Sequence, residues 1–181
     1  MIKISQFIGL RGLSNLEQIL NKRRSLNNKT IPIVSKIIKE IKKDKNKALI
    51  KYEKRFGNNN KIKPPVLEIN KAIKSLNPSI KKAIDFSFKR IFKYHSLQKI
   101  KNIYFKDKLN NSLGYKTVSI NKVGIYVPAN LPSTLLMTAI PAKIAGVKKI
   151  ILANPRLNKK LNSAVMYAAK NLGIKGIYSI G

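Results

Sequence analysis

Side chains that move protons, attack carbonyls or hold metals are scarce in this sequence. It has one histidine, His95, no cysteine and seven carboxylates, of which Asp107 is the last. Residues 108–181 contain no Asp, Glu, His or Cys, so that stretch offers none of the usual side-chain ligands of zinc and no carboxylate or imidazole for acid–base work. The absence of cysteine also removes a thiol nucleophile and a disulfide framework. His95 follows Ile80, Ile84, Phe88 and Ile91 at helical spacing. It therefore reads as a packed or edge histidine with a satisfied hydrogen bond rather than as a base. No catalytic residue and no metal ligand is assigned within the chain. Tyr126 is better placed than most aromatics to touch a ligand, because it stands near the carboxyl end of a predicted strand, where open α/β sheets build their ligand crevices, although from the residues alone it reads first as a core side chain. Ser133 and Thr134 are cap or early-turn hydroxyls of the helix that follows.

Charge offers a second possible chemistry. With 38 Lys and Arg against 7 Asp and Glu, the formal net charge is +31, which could neutralise phosphates. A folded monomer of this mass exposes on the order of 8,800 Å², so an even spread would put the excess charges roughly 17 Å apart, beyond the Debye length of about 8 Å. The lysines are scattered over nearly every segment and accompany abundant Ile and Asn, residues of A/T-rich codons. They read as compositional bias on solvated faces, with a nucleic-acid or other polyanion-binding protein as the alternative. The first residues are too broken for a signal peptide. No run approaches the ~20 apolar residues of a membrane helix.

The elements that must position these residues follow from periodicity and breakers. Asn15 to Asn27 predicts a first helix, and a second is expected to start at Pro32, whose missing N–H suits a first-turn position. The second continues through Ile37, Ile38, Ile41, Ala48, Leu49, Tyr52 and Phe56 until Gly57-Asn58-Asn59-Asn60 opens a loop closed by Pro64-Pro65. Asn70 is expected to cap a short helix through Leu76, and Asn77-Pro78 to start a long one reaching His95. Beyond Lys101 the pattern changes. Tyr115 to Ile120 suggests an extended strand, and Val123 to Val127 a strand of the buried kind. Ser133 to Ala145 then reads as a helix containing Pro141 and stopped by Gly146, followed by strand 149–153, helix 160–171 and strand 176–180. Strand, helix, strand, helix, strand predicts a parallel α/β unit. The expected fold class is thus α/β: a helical region over 1–107, then over 108–181 the first half of a Rossmann-like, incomplete doubly wound domain. The turn Val127-Pro128-Ala129-Asn130-Leu131-Pro132 enters a helix N-terminus but lacks the G-x-G-x-x-G fingerprint.

Val123-Gly124-Ile125-Tyr126-Val127-Pro128, followed by Pro132-Ser133-Thr134-Leu135-Leu136-Met137-Thr138-Ala139-Ile140-Pro141-Ala142, closely resembles the histidinol dehydrogenases. Lys47-Ala48-Leu49 with Tyr52 and Arg55-Phe56-Gly57, the segment 92–98 with His95, and Tyr167-Ala168-Ala169 to Gly173-Ile174 extend the resemblance over essentially the whole chain. It implies a two-step, NAD-linked and zinc-dependent oxidation of L-histidinol to L-histidine in a homodimeric cytoplasmic enzyme, with no membrane and no specific nucleic acid among its partners. It further implies that Tyr126 contacts NAD, with Pro128 and Phe56 as weaker contacts. The family's zinc ligands and Glu-His acid–base pair are expected beyond residue 181, so the chain reads as an N-terminal portion, inactive by itself, or as a shortened non-catalytic paralogue. Where the family usually has Val-Pro-Gly-Gly, this sequence has Ala129-Asn130, which favour negative φ.

Overall fold

A computed structural model describes residues 9–57, 59 and 61–181, with the backbone alone for 9–11 and 22–29. The start of the chain read against a signal peptide, and residues 58 and 60 of the expected loop, lie outside the described residues. The chain divides into two compact units, Met1–Lys51 and Tyr52–Gly181.

The first unit is built on α1 (Gly9–Asp44), a single helix of 36 residues. The two helices expected on either side of Pro32 are therefore one. Pro32 lies inside α1, where it removes one i→i−4 hydrogen bond at a cost of about 3 kcal/mol. The Lys, Leu, Ile and Glu on either side of it favour helix strongly enough to continue. The expected helix to Phe56 is instead broken at Lys45, which takes φ 48°. α2 (Asn46–Tyr52) follows, with Ala48 buried and Lys51 paired to Glu40 at 2.9 Å.

The second unit opens with a π-helical turn, Glu53–Gly57. α3 (Val66–Lys74) starts directly after Pro65, so Asn70 lies inside the helix and does not cap it. A rigid Pro64-Pro65 pair sets the start through its fixed φ, which outweighs a polar cap. α4 (Pro78–Ser96) begins as expected, with Asn77 Oδ1 accepting from Ser79 N at 2.8 Å and Pro78 at the first helical position. The expected strand from Tyr115 to Ile120 is not formed. An antiparallel hairpin precedes it in the chain, β1 (Ile103–Lys106) with β2 (Ser112–Tyr115), so Tyr115 ends a strand rather than starting one. Asp107 Oδ1 accepts from the backbone N–H groups of Leu109 and Asn111, and Asn110 turns the chain with φ 62°. All eight strand residues of the hairpin are exposed, so no hydrophobic alternation announces it.

β3 (Lys122–Tyr126), β4 (Lys149–Ala153) and β5 (Gly176–Tyr178) form a parallel sheet in that order. α5 (Pro132–Ile144) and α6 (Ser163–Asn171) make the crossovers. The mixed α/β class with a partial parallel sheet agrees with the sequence reading. Burial is one-sided. Ile125, Ile150, Leu152 and Ile177 turn into the core with Leu135, Leu136, Ala139 and Ile140 of α5 and Val165, Met166, Ala168 and Ala169 of α6. α4 packs on α5 and α6, and α3 on α6, so Ile73, Leu76 and Ile84 join the same cluster. The opposite face presents Gly124, Ile151 and Gly176 in one row and Tyr126, Ala153 and Tyr178 in the next. β3 is thus buried on one face only.

Both crossover helices end in the same device. After α5, Gly146 (φ 88°) donates to Lys143 O and Val147 to Ala142 O; after α6, Gly173 (φ 65°) donates to Lys170 O and Ile174 to Ala169 O. These are Schellman caps, which satisfy the last carbonyls and require the left-handed conformation that glycine adopts freely. α6 starts at Ser163 rather than 160, because Asn158 and Lys159 form a tight positive-φ turn and Asn162 Oδ1 then caps Val165 N at 3.0 Å. No helix among the described residues is long and apolar enough to cross a membrane.

Candidate functional site

Parallel strands bring their carboxyl ends to one edge, and three chain segments converge there. Tyr126 ends β3 on the uncovered face and is 57% exposed. Register places Ala153 beside it and Tyr178 beyond, so two tyrosines flank a small residue along the carboxyl edge. The strand ladder continues past the strands themselves: Val127 N donates to Ala153 O and Asn154 N to Tyr178 O, both at 2.9 Å. Pro128 is half-buried at the turn into α5.

Asn154 holds that turn in place. Its side chain is almost wholly buried, and Nδ2 donates to Val127 O at 3.0 Å and to Pro128 O at 3.1 Å. Its Oδ1 is buried without a hydrogen-bond partner, as is Ser179 Oγ at the end of β5. Buried polar atoms left unpaired are costly. The turn from Pro128 closes with Leu131 N donating to Pro128 O at 3.3 Å. Ala129 and Asn130 are not among the positive-φ residues, so the turn forms without glycine. α5 follows with Leu131 at its N-cap and no side-chain cap; Ser133 and Thr134 are early-turn residues and do not cap it. Its first N–H groups and dipole face an anion favourably.

Gly181 fits a narrow slot at this edge. A Cβ on it would lie 2.9 Å from Pro155 Cβ and Cγ and 3.0 Å from Tyr126 Cε2, and its N–H donates to Glu53 Oε1 at 2.9 Å. The π-helical turn that carries Glu53 also carries Phe56. The Phe56 ring is exposed, stacks on Tyr52 at 5.9 Å and lies under the Arg55 guanidinium at 5.2 Å. The structure therefore brings Tyr126 and Pro128 to one strand end and the turn of Phe56 to the same edge, with the Phe56 ring engaged by its own neighbours in sequence.

Arg156, two residues past Asn154, is anchored from below. Its guanidinium forms a bidentate pair with Glu68 of α3, one arm at 3.1 Å, and its side chain is 7% exposed. The hydrogen bond from Arg156 holds the Glu68 carboxyl below its ordinary range, against burial and with help from the charges of Arg156 and Lys61. Tyr167 of α6 donates to Asp85 of α4 at 2.9 Å and Asn171 donates to the same carboxylate at 2.8 Å; burial, then the Asp85 bond, pushes the phenol up. Asn154, Arg156, Glu53, Asn59 and Tyr178 were not legible as site residues. Each acts across 20 to over 100 residues of chain, and only the hydrogen-bonding capacity of buried-neighbour polar residues hinted at them.

His95 lies elsewhere, near the end of α4. It is half-buried, with Nδ1 2.6 Å from Gln98 Oε1, and it lines an open cleft of about 450 Å³ with Asn102, Ser119 and Ile144. Its hydrogen bond is satisfied, as the sequence reading expected. Among the described residues no cluster of three or more His, Cys, Asp or Glu could hold a metal ion. The zinc implied by the resemblance therefore finds no ligand set in them. The carboxyl edge of the sheet instead groups the exposed Tyr126 ring, the α5 N-terminus without a side-chain cap and the close approach of Gly181 to Pro155 and Tyr126.

Comparison with known proteins agrees with this geometry. The family model described as histidinol dehydrogenase matches residues 20–181. The histidinol dehydrogenase of Pelagibacter ubique (strain HTCC1062) is 50% identical over 184 residues, which cover 100% of this chain and 43% of that protein. That of Carboxydothermus hydrogenoformans is 30% identical over 177 residues, covering 92% and 42%. Among solved structures, histidinol dehydrogenase from Elizabethkingia anophelis superimposes with a TM-score of 0.78 at 34% identity, covering 84% of this chain and 36% of that one. The chain spans about 43% of the length of the curated relatives it matches.

Proposed function

Because the chain belongs to the histidinol dehydrogenase family, we propose that it forms the strand-end wall of an NAD crevice in an enzyme that oxidises L-histidinol to L-histidine in two NAD-linked steps. The observation that carries the dinucleotide part is the grouping at the carboxyl edge of the exposed Tyr126, the Gly181 slot and the α5 N-terminus. Tyr126 offers a flat apolar face, with Pro128 at the turn, and Phe56 borders the same edge. The α5 N-terminus receives the pyrophosphate charge. NAD supplies the hydride acceptor.

The proton transfers and the metal chemistry of the oxidation are assigned to none of the described residues. Its only histidine is bonded to Gln98 at 2.6 Å. Residues 108–181 contain no carboxylate, imidazole or thiol. No step through zinc is assigned to these residues. The reading includes a cytoplasmic homodimer as the working assembly, on the strength of the family resemblance.

The test is NAD binding by the 181-residue chain, followed by calorimetry, beside an assay for NADH formation from L-histidinol. Expected are saturable binding that falls about tenfold in Tyr126→Ala and changes little in Tyr126→Phe, the loss of one aromatic contact being worth on the order of 1–1.5 kcal/mol, and no NADH. Absence of binding at millimolar NAD, or an unchanged affinity in Tyr126→Ala, would sink the crevice assignment. Turnover by the chain alone would sink the claim that it lacks the chemistry.

A further inference from the structure

We infer that Glu53 and Asn59 are positioning residues, which clamp the exit of β5 so that Gly181 stays against the Tyr126 side chain and the dinucleotide-facing edge keeps its shape. The inference rests on the dinucleotide reading above and assigns work to two polar residues which that reading leaves unused.

β5 has three residues and one strand neighbour, β4. Such a short edge strand has little to hold its exit, since its outer N–H and C=O groups have no ladder partner. The segment after the π-helical turn supplies one. Ser179 N donates to Ile62 O at 2.6 Å, and Asn59 Nδ2 donates to Ser179 O at 2.7 Å across 120 residues of sequence. Asn59 is itself fixed, with Oδ1 accepting from Lys61 N at 2.9 Å and its own N–H donating to Glu53 O at 3.2 Å. Both outer groups of Ser179 are thereby satisfied by one strap.

Glu53 completes the hold one step further along. Its side chain belongs to a residue only 7% exposed, and Oε1 accepts from Gly181 N at 2.9 Å. Among the described residues no cation pairs with this carboxylate, in a chain of 38 Lys and Arg. A buried carboxylate spent on a backbone N–H is a charge-assisted bond, stronger and more directional than a neutral one. Gly57 makes room for it, since a Cβ there would sit 2.8 Å from Glu53 Oε2. The π-helical turn that sets this orientation is of a kind that recurs at functional sites. What the clamp positions is defined by contact: Gly181 lies where any Cβ would meet Tyr126 Cε2 at 3.0 Å and Pro155 at 2.9 Å. A drift of that backbone would tilt or cover the tyrosine face.

The experiment uses the full 181-residue chain, labelled with ¹⁵N, and its Glu53→Ala, Glu53→Gln and Asn59→Ala variants. Affinity for NAD is expected to fall about tenfold in Glu53→Ala and Asn59→Ala, while Glu53→Gln, which keeps an acceptor for Gly181 N–H, stays within about threefold of wild type. Amide exchange of Ser179 and Gly181 should be slow in wild type and in Glu53→Gln and fast in the alanine variants. Tyr167→Phe, which removes a hydrogen bond away from the crevice, is the control: it should lower the melting temperature without changing affinity. An alanine pair that binds NAD as wild type does, or a Tyr167→Phe control that loses as much affinity as the alanine variants do, would overturn the inference. Should Glu53→Ala not fold, Asn59→Ala decides by the same readings. If wild type itself binds no NAD, the dinucleotide reading has failed, and exchange still judges the clamp: Ser179 and Gly181 amides as unprotected in wild type as in Asn59→Ala would refute it.

Discussion

Removing the Glu68 carboxylate isolates the Arg156 guanidinium beside the crevice. The Arg156 side chain is 7% exposed and that of Glu68 33%, so the pair lies between two regimes. A fully buried charge left without its partner costs about 3–5 kcal/mol, whereas exposed pairs are worth about 0.2–1 kcal/mol. With one partner a third open to water, Glu68→Ala should destabilise the chain by about 2 kcal/mol, or about 4–8 °C in melting temperature for a chain of this size. Arg156 Nε already lacks a hydrogen-bond partner and Nη1 reaches Lys159 O only at 3.3 Å, so little remains to receive the stranded charge. The assay is urea unfolding followed by circular dichroism at neutral pH. Glu68→Gln should lose about half as much, and Glu68→Ala with Arg156→Met should regain most of the loss, because an apolar side chain at 156 leaves no buried charge to solvate. The pH dependence has a definite sign. Glu68 is held below its ordinary value of about 4.5, chiefly by the Arg156 hydrogen bond. Its stabilisation is complete above that value and disappears as pH falls through the lower folded-state pKa. The gap between wild type and Glu68→Ala should be constant near neutrality and narrow below about pH 4. A Glu68→Ala chain within about 0.5 kcal/mol of wild type, or a double variant no more stable than the single one, would refute the reasoning.

Two further outcomes follow from the core and from the α4–α6 contact. Leu152 is fully buried at the centre of the sheet, so Leu152→Ala should cost about 3 kcal/mol in urea unfolding through lost burial and the cavity left behind. Tyr167→Phe should cost about 1 kcal/mol by removing the bond to Asp85. Because burial and that bond raise the phenol's folded-state pKa, its stabilisation is present below the ordinary value and lost as pH rises through the raised one. The variant should lack this alkaline loss, read as melting temperature between about pH 9 and 11, one unit either side of an ordinary tyrosine.

The parts of the fold legible in advance were those governed by local rules. β4 matches its expected span at Lys149–Ala153 because its apolar run is short and bounded. Asn77-Pro78 announces α4 because capping needs only neighbouring residues, and Gly146 ends α5 because a positive φ excludes most other side chains. Errors arose where a local signal had a rival. Pro32 is a good helix start and a tolerable helix interior, and the flanking helix formers settled the matter. Asn70 could cap a helix, but Pro65 had already started one. The β1–β2 hairpin has no inside face to impose alternation, so its strands look like loop.

Sequence by itself determined the family, through the motif from Val123 to Ala142, and the order of the α/β elements. It also determined that residues 108–181 offer no carboxylate, imidazole or thiol, since composition cannot be supplemented by folding. It pointed to Tyr126, which stands at the strand end where that order places it. Tertiary structure alone decided how this edge is built. Glu53 and Asn59 meet Ser179 and Gly181, Asn154 bridges back to Val127 and Pro128, and Glu68 receives Arg156. Those partners are separated by 26 to 128 residues. A polar side chain's partner depends on which backbone groups the sheet and its crossovers leave unpaired, and that becomes defined only when the hydrophobic face of the sheet has been buried.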